Sequence, residues 1–280
     1  MSSGVMAAVL FAAALHALWN SIVKSGEEKF AAAAIVCLWC GLIAFGAALM
    51  LPIPARQSWL FVAASAMTHV VYFLLVGRLY RNADLSAAYP IMRGAAPMMT
   101  AIGAWLYLGE GLGFAGAGGV ALLIGGVFWM AVEGVRRGGV DRPALLTALA
   151  NSAVIALYSL TDGIGGRLSE NAFAYNSWVD ASTAILFAPV ILFLRGSGFA
   201  AVAAREWRRG LAGGGAAFFA YAIVIWAMTQ APIGLVAALR ETSVIFAAII
   251  GALILHEKFK APRYAAAAFI AAGIIVLRLG

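Results

Sequence analysis

Ten apolar stretches, each near twenty residues long, follow one another along this chain of 280 residues. A helix needs about twenty apolar residues to cross the ~30 Å hydrocarbon core of a bilayer, and only a helix or a closed barrel satisfies its backbone there. The pattern predicts an all-α membrane protein with ten transmembrane helices. The predicted segments are 4–23, 30–51, 58–77, 84–108, 113–132, 143–163, 173–194, 210–229, 232–255 and 262–278.

The composition supports this class, because 64% of the residues are hydrophobic and 11% are charged. Soluble domains have nearer ~45–50% and ~25%. The formal net charge is +7, yet the basic residues stand singly or in short clusters between apolar segments. We interpret them as topology signals, so the expected partner is the lipid bilayer and not nucleic acid. The first segment lacks a preceding basic region, which favours a retained helix over a signal peptide.

An internal repeat appears when the second half is shifted by 147 positions onto the first. Residues 89–110 then lie over 236–257, with Arg93 on Arg240 and Glu110 on Glu257. Five segments per copy is an odd number, so the second copy enters the membrane from the opposite side. The sequence predicts two inverted five-helix repeats, 1–139 and 140–280, as in many secondary transporters.

Charge counting sets the orientation, since short cytoplasmic loops collect Lys and Arg. One side of the predicted bundle has three basic residues, Arg56, Arg167 and Arg278. Both termini lie on this poorly charged side, so we expect them to be non-cytoplasmic in a bacterial-type inner membrane. The other side collects fourteen basic residues: Lys24, Lys29, Arg78, Arg81, Arg136, Arg137, Arg142, Arg195, Arg205, Arg208, Arg209, Lys258, Lys260 and Arg263.

Arg93 and Arg240 lie about nine residues inside their segments, where a charge costs at least ~2.5–3.5 kcal/mol and should face protein or a water-filled cavity. A guanidinium recognises a carboxylate through two parallel hydrogen bonds, and Glu241 could receive an ammonium or a coupling proton. The alternative is a structural arginine satisfied by carbonyls or by a partner helix. Pro90 and Pro97 free carbonyls near Arg93, which favours either a cavity or a simple kink.

Polar and aromatic side chains form stripes on several segments, and such stripes inside lipid predict a lumen. His16, Trp19 and Asn20 share one face of segment one, and Tyr158 shares a face with Asp162 in segment six. Single residues could instead form helix-to-helix hydrogen bonds or interfacial anchors. We expect Glu110 and Glu257 to cap a turn or helix start, and Cys37 and Cys40 to pack. The candidate substrate-binding residues are His16, Trp19, Asn20, Tyr72, Tyr89, Arg93, Tyr158, Trp178, Arg240 and Glu241.

Four motifs carry a resemblance to a known family: "HALWNSIVKS" (16–25), "ADLSAAYPIMRGAAP" (83–97), "LGE" (108–110) and "HEKF" (256–259). The chain resembles the EamA family of the drug/metabolite transporter superfamily, and within it bacterial inner-membrane amino acid exporters of the aromatic amino acid branch. The second half departs more, with Val236 and Val244 where the first has Tyr89 and Pro97. The resemblance implies a ten-helix exporter with a central cavity bordered by His16, Trp19 and Asn20, alternating access and no covalent catalysis.

These features predict a secondary transporter that exports small metabolites, most plausibly amino acids with aromatic or other bulky apolar side chains. One rival is a multidrug or other metabolite exporter, in which Glu241 or Asp162 recognises cations. A rival of another class is an intramembrane enzyme, but catalytic and metal-binding motifs are absent, so we expect no enzyme, no metal and no cofactor. Coupling to protons through Glu241, Asp162, Asp180 or His16 and passive diffusion both stay open.

Overall fold

The computed structural model describes the backbone of residues 1–26, 28–82, 85–136, 141–196, 198–253 and 261–279. Within these ranges it describes every side chain except those of residues 80–91, 130–131, 133–135, 248, 251–267 and 278–279. This part of the chain is all-helical, apart from short connections. The helices are α1 Ser3–Ser25, α2 Lys29–Met50, α3 Trp59–Asn82, α4 Leu85–Leu108, α5 Gly113–Arg136, α6 Arg142–Leu168, α7 Ala172–Arg195, α8 Gly198–Arg205, α9 Trp207–Gln230, α10 Ile233–Arg240, α11 Ser243–Leu253 and α12 Ala261–Leu279.

Local sequence sets where several helices begin. Ser2 accepts a hydrogen bond from the Val5 backbone at the start of α1, and Asn171 accepts one from Ala174 at the start of α7. Asp141 caps α6 by accepting from the Ala144 backbone at 2.8 Å. These side chains satisfy backbone donors that the first turn leaves without partners.

Six of the described helices are long and apolar enough to cross a membrane: α1, α2, α3 with its short leading 3₁₀ turn, α6, α7 and α9. Large apolar side chains project outward from the bundle, among them Met50, Tyr107, Phe114 and Phe193. An outward apolar surface of this kind matches lipid and not water. The protein is therefore a multi-pass membrane protein.

The predicted segment 232–255 is interrupted in the structure. α10 ends at Arg240, residues 241–242 form a tight turn, and α11 begins at Ser243. The Glu241 amide donates to the Ala238 carbonyl, and the Thr242 amide donates to the Leu239 carbonyl. Each bond spans three residues instead of the four of an α-helix, as in a 3₁₀ turn. The uniform apolar sequence around it gave no signal of this break. Non-helical backbone at this depth is tolerated where protein encloses it.

Helices from the first half of the chain pack against helices from the second half. α2 packs on α7 and α5 packs on α12. α1 packs on α9, while α3 packs on α6, and likewise α2 contacts α9 while α3 contacts α7. α1 contacts both α10 and α11, while α4 contacts α6. Exchanging the first five predicted segments with the second five gives the same set of contacts. The contact of α1 with α9, for example, becomes that of α3 with α6.

Glycine allows the closest of these approaches. A Cβ on Gly41 of α2 would lie within van der Waals overlap of Ala184 in α7. A Cβ on Gly234 of α10 would lie 2.7 Å from the Ala101 Cα in α4. Because helices in lipid gain little from the hydrophobic effect, such small-residue contacts supply much of their packing energy.

Candidate functional site

Arg93 and Arg240 share one buried carboxylate. Arg93 Nε donates to Glu241 Oε2 at 2.9 Å, and the two side chains are 2% and 1% exposed. Arg240 Nε lies 3.8 Å from Glu241 Oε1, and Arg240 is 3% exposed. The cluster contains two guanidiniums and one carboxylate, so it carries one positive charge in excess.

The break between α10 and α11 places this cluster. Arg240 is the last residue of α10, where the partial negative charge of the helix C-terminus favours a cation. Glu241 lies in the turn that follows α10. Its side chain extends from this turn to Arg93 on α4. The sequence suggested that Glu241 could receive an ammonium or a coupling proton, whereas the structure places its carboxylate between both arginines.

A cavity of about 90 Å³ lies beside this cluster. Arg240 reaches it, whereas Arg93 and Glu241 are not among its lining residues. α1, α2, α3, α6, α7, α9 and α10 all contribute to its wall. The lining residues are His16, Trp19, Val36, Cys37, Cys40, His69, Tyr72, Phe73, Tyr158, Asp180, Thr183, Ala217, Tyr221 and Arg240.

Aromatic rings form much of this wall. His69 stacks on Tyr158 with ring centroids 4.2 Å apart, and Tyr72 meets Tyr158 edge to face at 5.9 Å. Trp19 donates its indole N–H to His16 Nδ1 at 3.2 Å. Rings held by one another in this way offer a rigid apolar surface with polar edges.

Two aspartates lie at or behind the wall. Asp180 lines the cavity, and its Oδ2 accepts from Asn176 Nδ2 at 3.0 Å. Asp162 is fully buried behind Tyr221 and accepts hydrogen bonds from the Tyr175 and Tyr221 hydroxyls. The site therefore combines a guanidinium and a carboxylate at the cavity with a second carboxylate beneath its surface.

Five of the ten residues proposed from the sequence line the cavity: His16, Trp19, Tyr72, Tyr158 and Arg240. Arg93 and Glu241 lie behind Arg240. The Asn20 side chain donates to the His16 carbonyl at 2.7 Å and is not a lining residue. Trp178 packs on Trp59 with centroids 5.0 Å apart, also away from the cavity. The Tyr89 side chain lies outside the described residues.

Tyr221, Thr183 and Phe73 also line the cavity, although the sequence pattern does not mark them as site residues. Tyr221 lies in the apolar run "FFAYAIVIW", where one tyrosine carries no distinctive signal. Cys37 and Cys40 were expected only to pack, and both are free, buried thiols that also line the cavity. The expectation of packing did not point to a position at a lumen.

Hydrogen bonds and an ion pair join the connections at one end of the bundle. We call this the closed end; it comprises connections 51–58, 109–112, 169–171 and 231–232. Arg167 pairs with Glu110 at 2.5 Å and donates to the Met228 and Ala231 carbonyls. On the same face, Ala55 donates its amide to the Ser169 carbonyl at 3.1 Å.

Glu110 also caps a helix, as the sequence suggested, but not its immediate successor. Its Oε2 accepts from the Ile233 amide at 2.6 Å, which is the first residue of α10. The negative charge suits the positive end of that helix. Glu257, its counterpart in the predicted repeat, lies outside the described residues.

The fold and the site define a multi-pass helical membrane protein with a polar, aromatic cavity inside the bundle. Residues 142–279 match the family model described as the EamA-like transporter family. This match covers just under half of the chain and supports the EamA/drug-metabolite transporter family, a family of membrane transporters of small molecules.

The whole chain also matches a solved fold. A crystal structure of a protein 18% identical in sequence superposes with a TM-score of 0.76, covering 100% of this chain and 98% of that chain. At this identity the likeness concerns the fold alone. No curated protein sequence matches the chain.

Proposed function

We propose that this protein is a secondary transporter that exports small zwitterionic metabolites, of the amino acid class, across a bacterial-type inner membrane. The observation that carries the proposal is the chemistry of the cavity. It presents the Arg240 guanidinium and the Asp180 carboxylate together with rings of His16, Trp19 and Tyr158. A zwitterion with an apolar side chain has a matching group for each of these surfaces.

Arg240 is the proposed ligand for the substrate carboxylate. Among the described residues, no group makes a hydrogen bond to Arg240 Nε. Arg240 Nε lies 3.8 Å from Glu241 Oε1, which is longer than a hydrogen bond, so a bound carboxylate can hydrogen-bond this guanidinium. Arg93 already holds Glu241, so its role is to position that carboxylate and to leave Arg240 available.

Asp180 is the proposed ligand for the substrate ammonium. It lies on α7 at the cavity. Its Oδ2 accepts a hydrogen bond from the neutral Asn176 amide and not from a basic side chain. No ion pair between Asp180 and a Lys or Arg exists within the described part of the chain. A carboxylate left in this state can accept an ammonium without displacing a cation.

Alternating access between two inverted five-helix repeats, 1–139 and 140–280, is the proposed mechanism. The contact of α1 with α9 is equivalent to that of α3 with α6 when the two predicted repeats are exchanged, and this symmetry supports the repeats. The Glu110–Arg167 ion pair supports a state sealed at the closed end. With the cytoplasm assigned from the charge counts, the closed end faces outward and the termini are non-cytoplasmic.

The proposal also covers the side chain of the substrate: the transported amino acids are aromatic or have other bulky apolar side chains. Ligand pockets commonly have ~300–1,000 Å³. The cavity has about 90 Å³ in this conformation, so binding a bulky side chain requires the walls to separate. Opening toward one face supplies that movement in alternating access.

A counterflow assay with substrate trios tests the proposal. Purified protein is reconstituted in liposomes loaded with an unlabelled compound, and uptake of its labelled form is followed. For phenylalanine, phenethylamine and phenylpropionate, we expect uptake of the amino acid alone, because it alone meets both Arg240 and Asp180. Equal uptake of the acid and the amino acid would remove Asp180 from the site.

Multidrug export is the second candidate, favoured by Asp180 and the aromatic wall, which would also suit an organic cation. Thermal stabilisation separates the two candidates. Quaternary amines that raise the melting temperature, with phenylalanine, tryptophan and threonine without effect, would favour drug export.

A further inference from the structure

Asp162 is a buried carboxylate that substrate recognition does not require. It lies on α6, is 0% exposed, and does not line the cavity. Its Oδ1 accepts from the Tyr175 hydroxyl at 3.0 Å, and its Oδ2 accepts from the Tyr221 hydroxyl at 2.5 Å. The Ser65 side chain of α3 approaches the same carboxylate. Two helices therefore supply O–H donors to one acid, and a third helix directs a hydroxyl toward it.

Two of these contacts lead from Asp162 to the cavity. Tyr221 lines the cavity and touches Asp162 through its hydroxyl. His69 also lines the cavity, and its Nδ1 lies 2.9 Å from the Ser65 carbonyl and 3.2 Å from the Ser65 hydroxyl. A carbonyl only accepts, so Nδ1 carries a hydrogen and Nε2 is the basic nitrogen of the neutral ring. Proton acceptors and donors thus connect the lumen to the buried acid.

We propose that Asp162 is the proton-coupling site of the transporter, loaded and unloaded from the cavity through the Tyr221 hydroxyl and the His69–Ser65 pair. This inference rests on the proposed transport function. Packing alone does not call for an acid here, because an ionised group within the membrane is costly and is typical of proton pathways. The Tyr221 hydroxyl links the acid to the lumen, because Tyr221 both bonds Asp162 and lines the cavity.

The proton balance of loading is simple. A hydronium ion in the cavity gives its proton to the Tyr221 oxygen while the Tyr221 O–H proton passes to Asp162 Oδ2. One water is released, one carboxyl O–H bond forms, and Tyr221 regains its hydrogen. Unloading is the reverse. No oxidant, reductant or other co-reactant takes part.

Other titratable and charged groups surround α6 and shape this exchange. They come from each helix packed against it. His69 and Arg240 are cations or potential cations at the cavity, and Asp180 is a second acid there. Protonating Asp162 removes a negative charge that interacts with His69. Among the described residues of these helices and of α6, the groups that line the cavity, contact Asp162 or pair with Glu241 are His69 and Tyr72 of α3, Arg93 of α4, Tyr175 and Asp180 of α7, Tyr221 of α9, Arg240 of α10, and Tyr158 on α6 itself.

Infrared difference spectroscopy tests the site without any substrate. Reconstituted protein is titrated from alkaline to acidic pH, and the carboxyl C=O stretching band of protonated acids is recorded. We expect a band that grows as pH falls and that is missing from Asp162→Asn. Asp141→Asn, the exposed N-cap of the same helix, is the matched control and should keep the band. A band unchanged in Asp162→Asn would overturn the proposal.

Transport supplies the second readout and separates this proposal from the proposed function. An imposed pH gradient should raise substrate uptake several-fold in the wild type, while Asp162→Asn keeps counterflow at equal pH and loses the stimulation. Tyr221→Phe, which keeps the acid, should slow the proton-driven flux. Wild-type counterflow without stimulation by a pH gradient would overturn the coupling site alone. Missing counterflow with a titrating Asp162 band would instead count against the proposed substrate class.

Discussion

Arg93 Nε and Glu241 Oε2 form a buried hydrogen-bonded ion pair of 2.9 Å that joins α4 to the break between α10 and α11. Arg240 approaches the same carboxylate at 3.8 Å. Breaking a buried pair leaves an uncompensated charge, which costs more than the pair itself contributes. The stability of this region therefore depends most on the one acid that serves two arginines.

Glu241→Gln should destabilise the protein more than Arg93→Gln. The first change removes the carboxylate that both buried guanidiniums approach, at a cost of ~3–5 kcal/mol. The second leaves Glu241 with Arg240 as a counter-charge. Denaturant unfolding in detergent micelles measures both values, and the reverse order would contradict the assigned geometry.

The Glu110–Arg167 pair should control access from the closed end. Cys37 and Cys40 line the cavity, so labelling by a membrane-impermeant maleimide reports which face is open. Arg167→Ala removes the ion pair and two hydrogen bonds to carbonyls that hold α9. We expect labelling from the closed end to rise several-fold.

Arg195→Ala is the matched control for this experiment, because Arg195 pairs with Glu28 at the opposite end of the bundle. It should leave labelling from the closed end at the wild-type level. Equal effects of the two substitutions would mean that Glu110 and Arg167 are not a gate.

Gly234→Ala should loosen the contact between α10 and α4. The added Cβ would lie 2.7 Å from the Ala101 Cα, so α10 and α4 must separate at this contact. Overpacking of this kind costs ~1–3 kcal/mol. Gly46→Ala on α2 is the control, since nothing lies within 4 Å of its added Cβ. Melting temperatures should fall for Gly234→Ala and hold for Gly46→Ala; a fall in both would contradict the contact.

Trp19→Ala should shift substrate preference toward larger side chains. Loss of the indole widens the cavity wall, so the ratio of tryptophan to alanine uptake should rise in a competition assay. Trp105→Ala, whose side chain is exposed on the outside of the bundle, should leave the ratio unchanged. An unchanged ratio in Trp19→Ala would place the substrate side chain elsewhere.

The helical segments follow from sequence because crossing lipid demands long apolar runs. The ranges predicted for α1, α2, α6 and α7 lie within a few residues of the observed ends. The break at Glu241 was missed because 232–255 is uniformly apolar apart from Arg240 and its neighbours. A local sequence pattern does not reveal that a distant arginine holds the turn.

The site was partly predictable for a related reason. Arg240 and Tyr158 are costly or unusual in lipid, so their presence alone predicted a lumen. Tyr221 and Thr183 resemble ordinary members of apolar helices, and only tertiary packing brings them to the cavity. Trp178 followed the same aromatic pattern as Trp19, yet packing placed it against Trp59.

Counterflow by Arg240→Gln tests the central claim, that Arg240 binds the substrate carboxylate. A charged hydrogen bond contributes ~1.5–3 kcal/mol, so the half-saturating concentration of a transported amino acid should rise by ~10–100-fold. Arg56→Gln, which removes an exposed arginine from the 3₁₀ turn before α3, should leave it unchanged. Wild-type saturation in Arg240→Gln, with the fold intact by melting temperature, would contradict the account.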